Sequence, residues 1–367
     1  MKGKAVVFTK IGEPLQIKEY DVIDPEPGDA IIKVELANIC GSDLHIWRGD
    51  LDLAALGVPL PTILGHEMVG SVYKLGKGLL LDSRGLSLKE GDKVIYSYFR
   101  PCGHCYACVR ERPAECINSL SHISISSDQR PHFIGAFAEY YYLHHGQIIL
   151  KVPEGVKDEL VAGINCAASQ MMYALDEVGF KFGDNVVIQG AGGLGQYTTA
   201  ILKERGANQI IIFDSNQARL QLASEFGADK IVNINEVNSP KDRVALVKEL
   251  TNGWGADIVV EVAGFPQVIP EGIKMLGSGG KYLAIGNVSP GFTYQADPSE
   301  LVLVNKRFYG VRMYDARSIF NALNFIIKND KKYPFHKILA TKFSLEDINN
   351  AFLEADKQNV YRAAIVP

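Results

Sequence analysis

The sequence of 367 residues has no apolar run that approaches the roughly 20 consecutive residues a membrane-spanning helix requires. It also lacks long runs of one charge sign, because 38 basic side chains nearly balance 42 acidic ones and the formal net charge is −4. Internal repeats and low-complexity segments are absent as well. We therefore expect neither a membrane span nor a nucleic-acid partner, which would need greater apolar length or a positive electrostatic field.

The first residues, Met1-Lys-Gly-Lys4, contain no apolar leader, and this favours a cytoplasmic location. Apolar side chains make up 47% of the chain, as is usual for a folded globular protein. A chain of this length exceeds what one hydrophobic core usually supports. Two domains are therefore expected.

Cysteine is scarce, yet four of the six cysteines lie within fifteen residues, at Cys102, Cys105, Cys108 and Cys116. Thiolates at this spacing can converge on one tetrahedral ion, and Zn²⁺ accepts four sulfur ligands at about 2.3 Å with no open position. Two disulfides or an iron–sulfur cluster are the alternatives. The missing secretory segment disfavours the first, and the spacing disfavours the second. We predict a structural zinc site, which places the chemistry elsewhere in the chain.

The pattern of apolar runs changes along the chain. Up to about residue 150 the runs are short and broken by Gly and Pro, which predicts short strands. After residue 165, apolar strands alternate with helix-length segments, and this indicates a parallel, doubly wound sheet. In the C-terminal tail we expect helices near 318–327 and 345–356, followed by a strand at 361–366 that pairs back onto the first domain.

A glycine-rich GxGxxG turn at 190–195 lies between an apolar strand and a helix-length segment, and an acidic residue follows nineteen positions later. This combination is the fingerprint of a dinucleotide site, in which glycines let the backbone approach the pyrophosphate at a helix N-terminus. A carboxylate at position 214 would accept hydrogen bonds from ribose hydroxyls and repel a 2′-phosphate, so NAD is favoured over NADP. The predicted cofactor-binding residues are Gly190, Gly192, Gly193, Leu194, Gly195 and Asp214.

Two cysteines and a histidine outside the four-cysteine window form the candidate active site: Cys40, His66 and Cys166. Taken singly, each is compatible with an ordinary core residue. Jointly they offer three protein ligands which, with one open position, make a catalytic zinc site. Such an ion lowers the pKa of a bound hydroxyl, and the resulting alkoxide releases a hydride to a nicotinamide far more readily than the alcohol does.

With these features in this order, the chain resembles the zinc-dependent medium-chain alcohol dehydrogenases over essentially its whole length. The resemblance implies an α/β protein with a GroES-like β-rich catalytic domain at 1–165 and 312–367 and a structural zinc lobe at about 100–117. It further implies an NAD-binding Rossmann domain at 166–311, with the active site in the cleft between the two. The matching motifs are Cys40-Gly-Ser-Asp-Leu-His45, Gly65-His66-Glu67, the four-cysteine window, Gly135-Ala-Phe-Ala-Glu139, the glycine-rich turn and Glu261-Val-Ala-Gly264.

The resemblance assigns roles around a catalytic zinc ion. Cys40, His66 and Cys166 are similar to its ligands. Glu67 corresponds to the adjacent carboxylate that can approach the metal during ligand exchange, and Asp43 to the acid that orients the histidine ligand. A zinc-bound alkoxide mechanism is implied.

The same resemblance implies a proton relay and further cofactor contacts. Ser42 would take the alcohol proton and pass it, by way of cofactor hydroxyls, towards His45, because imidazole suits proton transfer near neutrality. Arg219 lies where a basic residue often flanks the adenosine, and Arg362 where one often contacts the pyrophosphate.

Position 166 bears on the substrate class. Polyol and threonine dehydrogenases of the family have a Glu-Pro-Leu-type sequence in this region, whereas Cys166 is similar to the Cys-His-Cys alcohol dehydrogenases and favours a less polar substrate. Gln170 stands where relatives commonly have Thr, and its amide is expected to contact substrate or cofactor. Trp47, Leu51 and Tyr98 are candidates for the substrate pocket, and core packing is the equal alternative for each.

The sequence thus predicts a zinc-containing, NAD-dependent alcohol dehydrogenase that holds two zinc ions per chain. It would act on a small alcohol or carbonyl substrate and form a homodimer or homotetramer, as relatives do. Three alternatives remain: an NADPH-dependent aldehyde or enone reductase of the same superfamily, a polyol dehydrogenase, and a non-catalytic protein that binds zinc and nucleotide.

Overall fold

The computed structural model describes all 367 residues, Met1–Pro367. The strands are β1 (Lys2–Phe8), β2 (Gln16–Asp21), β3 (Ala30–Asn38), β4 (Thr62–Ile63), β5 (Glu67–Leu75), β6 (Lys93–Tyr96), β7 (Tyr140–Leu143), β8 (Ile149–Lys151), β9 (Asn185–Gln189), β10 (Gln209–Asp214), β11 (Lys230–Asn233), β12 (Ala256–Glu261), β13 (Leu276–Ala284), β14 (Arg307–Gly310), β15 (Thr341–Ser344) and β16 (Ala363–Val366). The helices are α1 (Gly41–Arg48), α2 (Asp158–Val161), α3 (Ser169–Glu177), α4 (Gly193–Glu204), α5 (Gln217–Glu225), α6 (Pro240–Leu250), α7 (Ile269–Met275), α8 (Ser299–Val302), α9 (Ala316–Asn329) and α10 (Ile348–Asp356). No helix combines the length and the apolar character that crossing a membrane would require.

The chain forms two compact units. The first consists of Met1–Cys166, Asp315–Asp330 and Phe335–Pro367. The second consists of Ala167–Tyr314 and Lys331–Pro334. Each unit has its own sheet framework and its own buried apolar cluster.

Two sheets build the first unit. One has three strands in the order β2-β1-β4, and the other has the order β15-β16-β3-β5-β6-β8, with β7 pairing to β3. The C-terminal strand β16 lies antiparallel to β3, with Ala364 opposite Asn38. This pairing confirms the prediction that the tail returns to the first domain.

The core of the first unit lies between these sheets and the C-terminal helix α10. Its fully buried side chains include Phe8, Ile32, Met68, Phe137 and Phe352. Because β3 is a central strand, most side chains on both of its faces are buried. The short apolar runs of the sequence correspond to strands of modest length.

A single parallel sheet forms the second unit, with the order β11-β10-β9-β12-β13-β14. Counted along the chain, this is the order 3-2-1-4-5-6 of doubly wound dinucleotide-binding folds. Val186, Val187 and Ile188 on the central strand are fully buried, as expected of a strand covered on both faces. The strand order reverses between β9 and β12, where such folds place their ligand.

Both helices predicted in the tail are present, and the first has wider limits than predicted. The predicted 318–327 helix lies within α9, which begins earlier because the Asp315 carboxylate accepts the Ser318 backbone N–H at 2.8 Å and caps the first turn. The predicted 345–356 helix is a 3₁₀ turn at Leu345–Asp347 that continues into α10.

The second unit contains a nearly buried ion pair between two helices. Arg243 on α6 donates from Nη2 to Glu271 Oε2 on α7 at 2.6 Å, and the two side chains are only 11% and 10% exposed. The same guanidinium donates from Nη1 to the Val237 carbonyl at 2.8 Å. Removing one partner would leave the other charge buried without compensation.

We expect Arg243→Met to lower the free energy of unfolding by about 3–5 kcal/mol, the usual cost of breaking a buried pair. Lys274→Met is the matched control on α7, because Lys274 pairs with Glu300 at 3.4 Å while its side chain is 56% exposed. That control should cost at most about 1 kcal/mol. Denaturant unfolding measures both variants, and equal losses would contradict the distinction.

Candidate functional site

The register of the first unit's sheet brings the predicted zinc ligands together. Asn38, the last residue of β3, lies opposite Glu67, the first residue of β5. Cys40 follows shortly after Asn38, and His66 directly precedes Glu67, so the two side chains emerge at the same edge of the sheet. Cys166 reaches this edge from a π-helical turn, Ile164–Ala168, that leads into α3. Single π-helical turns of this kind often lie at functional sites.

Four side chains offer ligand atoms within 4.8 Å of one another: Cys40, His66, Glu67 and Cys166. Both cysteines and Glu67 are buried, and the histidine is half-buried. The donor set of two sulfurs, one imidazole and one carboxylate is of the kind that zinc binds in proteins.

Asp43, in the N-terminal turn of α1, contacts the segments that carry two residues of this cluster. It is 1% exposed, and its Oδ2 accepts the backbone N–H of Cys40 at 2.9 Å. Its Oδ1 accepts the backbone N–H of Gly65 at 3.2 Å and lies 3.5 Å from Nδ1 of His66. Because Nδ1 faces this carboxylate, Nε2 is the ring nitrogen available to a metal.

Arg362 contacts the cluster of Cys40, His66, Glu67 and Cys166, which is called the metal-ligand cluster from here on. Its guanidinium contacts both carboxylate oxygens of Glu67, with Nη2 2.9 Å from Oε1, and Nη2 is 3.8 Å from the Cys40 Sγ. The Arg362 and Glu67 side chains are almost completely buried. The sequence did not predict this ion pair, and the pyrophosphate contact expected of Arg362 stays a prediction.

Electrostatics of the cluster favour a bound cation. A hydrogen bond from Cys166 lowers the pKa of the Cys40 thiol well below its usual range, and the same contact raises the pKa of Cys166. Burial raises the pKa of Glu67 to about 7, although the Arg362 guanidinium opposes this shift. A further positive charge in the cluster would favour ionisation of both sulfurs beside Glu67. A divalent ion such as Zn²⁺ supplies that charge.

The predicted relay residues share one helix. Ser42 and His45 are three residues apart on α1, a spacing that places them on one face. His45 Nδ1 lies 3.0 Å from Asp50 Oδ2 and 3.3 Å from Arg48 Nη2. A protonated Nδ1 can donate to the carboxylate, and an unprotonated one can accept from the guanidinium.

The four pocket candidates have different surroundings. Tyr98 packs its ring against the His66 imidazole, with the centroids 4.8 Å apart. Trp47 packs on Phe352 at 5.9 Å and against the first unit's core. Leu51 is half-buried and donates its backbone N–H to the His45 carbonyl at 3.1 Å.

Gln170, in contrast, uses its amide within the protein. It belongs to the second unit, and its Nε2 donates to the Val311 carbonyl at 3.3 Å. Whether it or the other three candidates contact substrate or cofactor stays a prediction.

The glycine-rich turn follows β9 and opens α4, as its motif requires. Gly190 has φ +111°, a conformation that favours glycine. A Cβ at Gly195 would lie 2.1 Å from the Gly190 carbonyl oxygen, so only glycine lets α4 approach this closely. Gly192, Gly193 and Leu194 form the start of the helix, whose N-terminal N–H groups suit a phosphate.

Asp214 ends β10 beside this turn. Its Oδ2 accepts the backbone N–H of Ala191 at 2.7 Å, and its Oδ1 accepts that of Asn216 at 2.8 Å. The carboxylate therefore holds the glycine-rich turn to the next strand. Arg219 lies half-buried in the first turn of α5, where its backbone N–H donates to Asn216 Oδ1 at 3.2 Å.

Glu261, in the quoted Glu-Val-Ala-Gly motif, joins two loops at the same end of the parallel sheet. It is fully buried, and its carboxylate accepts from the Gly264 N–H at 2.7 Å and from the Gly286 N–H at 3.2 Å. The Asn287 amide donates to it at 2.8 Å. Burial raises the pKa of Glu261 despite these donors.

The four-cysteine window forms a second cluster, with ligand atoms that also lie within 4.8 Å of one another. Cys105 Sγ is 3.5 Å from the Cys108 Sγ and 3.8 Å from the Cys116 Sγ. A disulfide requires about 2.05 Å, and all six cysteines are free. Four sulfurs at about 2.3 Å from one tetrahedral zinc ion would be about 3.8 Å apart, which these distances match.

Thiolates are stabilised unevenly in this window. Hydrogen bonds from Asn118 and from backbone N–H groups lower the pKa of Cys102 to about 5. Burial raises the pKa of Cys108 to about 12. A metal ion would supply the positive charge that the second thiolate lacks.

Two residues with evident roles around the site were not singled out from the sequence. Asp50 pairs with His45, and its only sequence signal is its place just after the helix that carries the histidine. Asn165 lies next to Cys166 and bonds the His66 segment. Neither this contact nor the Arg362–Glu67 pair has a local sequence signal, because each depends on how distant strands meet.

Two family descriptions match the chain in succession. Residues 26–154 match the alcohol dehydrogenase GroES-like domain, and residues 193–328 match the zinc-binding dehydrogenase domain. The first matched region lies in the first unit and carries His66 and the four-cysteine window. The second begins within the glycine-rich turn.

Several relatives match most of the chain. It is 30% identical over 336 residues to 5-exo-hydroxycamphor dehydrogenase of Pseudomonas putida, covering 91% of this chain and 90% of that protein. It is 34% identical over 301 residues to L-threonine 3-dehydrogenase of Shewanella frigidimarina, covering 80% and 81%. The crystal structure of an alcohol dehydrogenase from Thermotoga maritima superposes with a TM-score of 0.92 at 30% identity, covering 100% of both chains.

We expect Cys105→Ser to remove the metal of the four-cysteine window and to lower the melting temperature, because a closed metal site contributes folding free energy directly. Metal content and thermal unfolding of the purified variant measure both effects. Cys166→Ser is the contrast, since it should remove the other metal and leave the lobe metal bound. A Cys105→Ser variant that keeps its lobe metal and its melting temperature would contradict the prediction.

Proposed function

Because the chain belongs to the zinc-dependent medium-chain dehydrogenase family and is an oxidoreductase of the alcohol type, we propose that it transfers a hydride between an alcohol and NAD. One zinc ion would be held by Cys40, His66 and Cys166 for catalysis, and a second by the four-cysteine window for structure. The observation that carries the proposal is the convergence of these three side chains and Glu67 within 4.8 Å.

Bound zinc would act as a Lewis acid that lowers the pKa of a hydroxyl group and stabilises the negative charge that develops on its oxygen. Cys40, His66 and Cys166 would bind the ion, and Asp43 would orient the imidazole through Nδ1. Glu67 pairs with Arg362 and is the carboxylate among the four clustered side chains. During ligand exchange, Glu67 would leave Arg362 and approach the metal.

A relay through Ser42 and His45 would remove the alcohol proton. Ser42 would accept it at the hydroxyl oxygen as its own hydroxyl proton moves, by way of the cofactor hydroxyls, towards His45. The surroundings of His45 support this role, because Nδ1 has Asp50 as a partner when protonated and Arg48 when not. Neither protonation state leaves the ring nitrogen without a hydrogen bond.

NAD is the proposed cofactor. Asp214 closes the strand that follows the glycine-rich turn, and a carboxylate there accepts from ribose hydroxyls while repelling a 2′-phosphate. Gly190, Gly192 and Gly195 would let the pyrophosphate approach the N-terminus of α4. Arg219 would flank the adenosine.

The substrate would be a less polar alcohol. Cys166 stands where threonine and polyol dehydrogenases have a carboxylate-bearing sequence, and the ring of Tyr98 packs directly on His66. The name of one relative, 5-exo-hydroxycamphor dehydrogenase, describes an alcohol of this kind. L-Threonine is the second candidate substrate, because L-threonine 3-dehydrogenases are among the relatives at 34% identity.

Self-association is also proposed. β14 is an edge strand of the second unit's sheet, and exposed rings lie on it and beside it. Phe308 is 40% exposed, and Tyr294 stacks on it with the centroids 6.4 Å apart. An open strand edge with apolar side chains suits a homodimer or homotetramer.

We expect the purified protein to contain two zinc ions per chain and to reduce NAD in the presence of an alcohol. Cys40→Ser should lose one zinc ion, keep its fold, and lose more than about 100-fold in kcat/KM, because an outer partner of a metal ligand alone costs about 10–100-fold. A screen of aliphatic, cyclic, aromatic and polyhydroxylated alcohols with L-threonine, with zinc quantified in parallel, measures this. Unchanged turnover of Cys40→Ser would refute the assigned centre.

We expect Asp214→Asn to raise the affinity for NADP relative to NAD at least tenfold, about 1.4 kcal/mol, because it removes the charge that repels a 2′-phosphate. Asp257→Asn is the matched control: Asp257 accepts the Asn185 backbone N–H at 2.8 Å at the opposite end of β9. Its cofactor preference should not change. Calorimetric titration of both cofactors decides, and tighter binding of NADP than of NAD by the unaltered protein would overturn the proposal.

A further inference from the structure

The first unit contains a buried side-chain amide between two strands at the metal-ligand cluster. Strands β5 and β6 pair through Gly70 opposite Val94 and Ser71 opposite Lys93. If this antiparallel register continued, Met68 would lie opposite Tyr96. The pairing of the two strands ends before these two residues, and their backbone groups bond to the Asn165 side chain instead.

Asn165 satisfies three backbone groups that this separation leaves open. Its Oδ1 accepts the Met68 N–H at 3.3 Å, and its Nδ2 donates to the Tyr96 carbonyl at 3.0 Å and to the His66 carbonyl at 3.1 Å. The residue is fully buried. One acceptor and two donors are what a carboxamide offers, so its chemistry matches the three groups.

We propose that Asn165 is a positioning residue of the metal centre, which holds the His66 segment against the π-helical turn that carries Cys166. The inference rests on the proposed function only in assigning a metal to Cys40, His66 and Cys166. Asn165 directly precedes one ligand and bonds the backbone of another. Its amide therefore sets the distance between two ligand-bearing segments that no strand pairing joins.

The chemistry of the amide also explains why close substitutes should fail. Aspartate has a similar shape, but an ionised carboxylate cannot donate, so two carbonyl oxygens would face it without a hydrogen bond. An apolar side chain would leave all three groups unpaired. Either change would let the strand and the π-helical turn move apart, and metal ligands tolerate only small displacements.

Asn165→Asp tests the proposal, with Asn349→Asp as the matched control. Asn349 is a bridging amide of the same unit, since it accepts from the Leu15 N–H and donates to the Leu15 carbonyl, both at 2.9 Å. It is not among the residues of the metal-ligand cluster. Both variants place a carboxylate against a backbone carbonyl, so both should lose stability.

Only Asn165→Asp should change the metal centre. We expect it to weaken metal binding at that centre about 10–100-fold, the range for outer partners of metal ligands. Competition with a chelator measures this affinity. The visible spectrum of the Co²⁺-substituted protein, after subtraction of the Cys166→Ser spectrum, reports the ligand geometry. Asn349→Asp should keep the affinity and the spectrum of the unaltered protein.

The outcomes separate this inference from the proposed function. If the unaltered protein binds no metal that Cys166→Ser removes, the proposed function fails. If it does bind such a metal, and Asn165→Asp shows the unaltered affinity and spectrum, the positioning role is wrong. Should Asn165→Asp not fold, Asn165→Ser keeps a hydroxyl and removes volume, and it is measured in the same way. An unaltered metal affinity in that variant would overturn the proposal equally.

Discussion

The candidate metal centre depends on the pairing of β3 with two different neighbours. Asn38 lies opposite Glu67 on β5 and opposite Ala364 on β16. This double register brings Cys40 and Arg362 to the edge of the sheet where Glu67 begins its strand. Because side chains alternate with a period of two, a slip of one residue in either pairing would turn these groups to the opposite face. The C-terminal strand is thus part of the centre's construction.

This convergence brings several groups of negative charge together, and neighbouring residues compensate part of that charge. Two sulfurs and the carboxylates of Asp43 and Glu67 are gathered in a buried volume, and burying like charges together is unfavourable. Arg362 compensates Glu67, and the backbone N–H groups of Cys40 and Gly65 bind Asp43. When both sulfurs ionise, they add further negative charge to the cluster. A divalent cation would balance this charge, and the donor set of the cluster suits such an ion.

What the sequence predicted follows from how local each feature is. The GxGxxG turn is contiguous, and the close contact of Gly195 with the Gly190 carbonyl supplies the steric reason for its glycines. The parallel sheet and the return of the tail to the first domain were also predicted, whereas its pairing with β3 in particular was not. The contacts of Asn165 and the Arg362–Glu67 pair were not, because they arise where strands separate or where a distant segment arrives. The first two residues of α9 were missed because the helix begins at the Asp315 cap and not at the first residue of the apolar pattern.

The two cysteine clusters differ in the range over which their ligands are gathered. Cys102 and Cys116, the outermost ligands of the window, are fourteen positions apart, so a metal ion there can organise its own loops. Cys40 and Cys166 are separated by most of the first unit, and their distance is set by strand pairing and by Asn165. Metal binding by Cys40, His66 and Cys166 would therefore be coupled to the stability of the sheet, whereas a metal in the four-cysteine window would stabilise mainly the window itself. Loosening the sheet would separate Cys40 from Cys166 while the short spacing of the four-cysteine window stays unchanged.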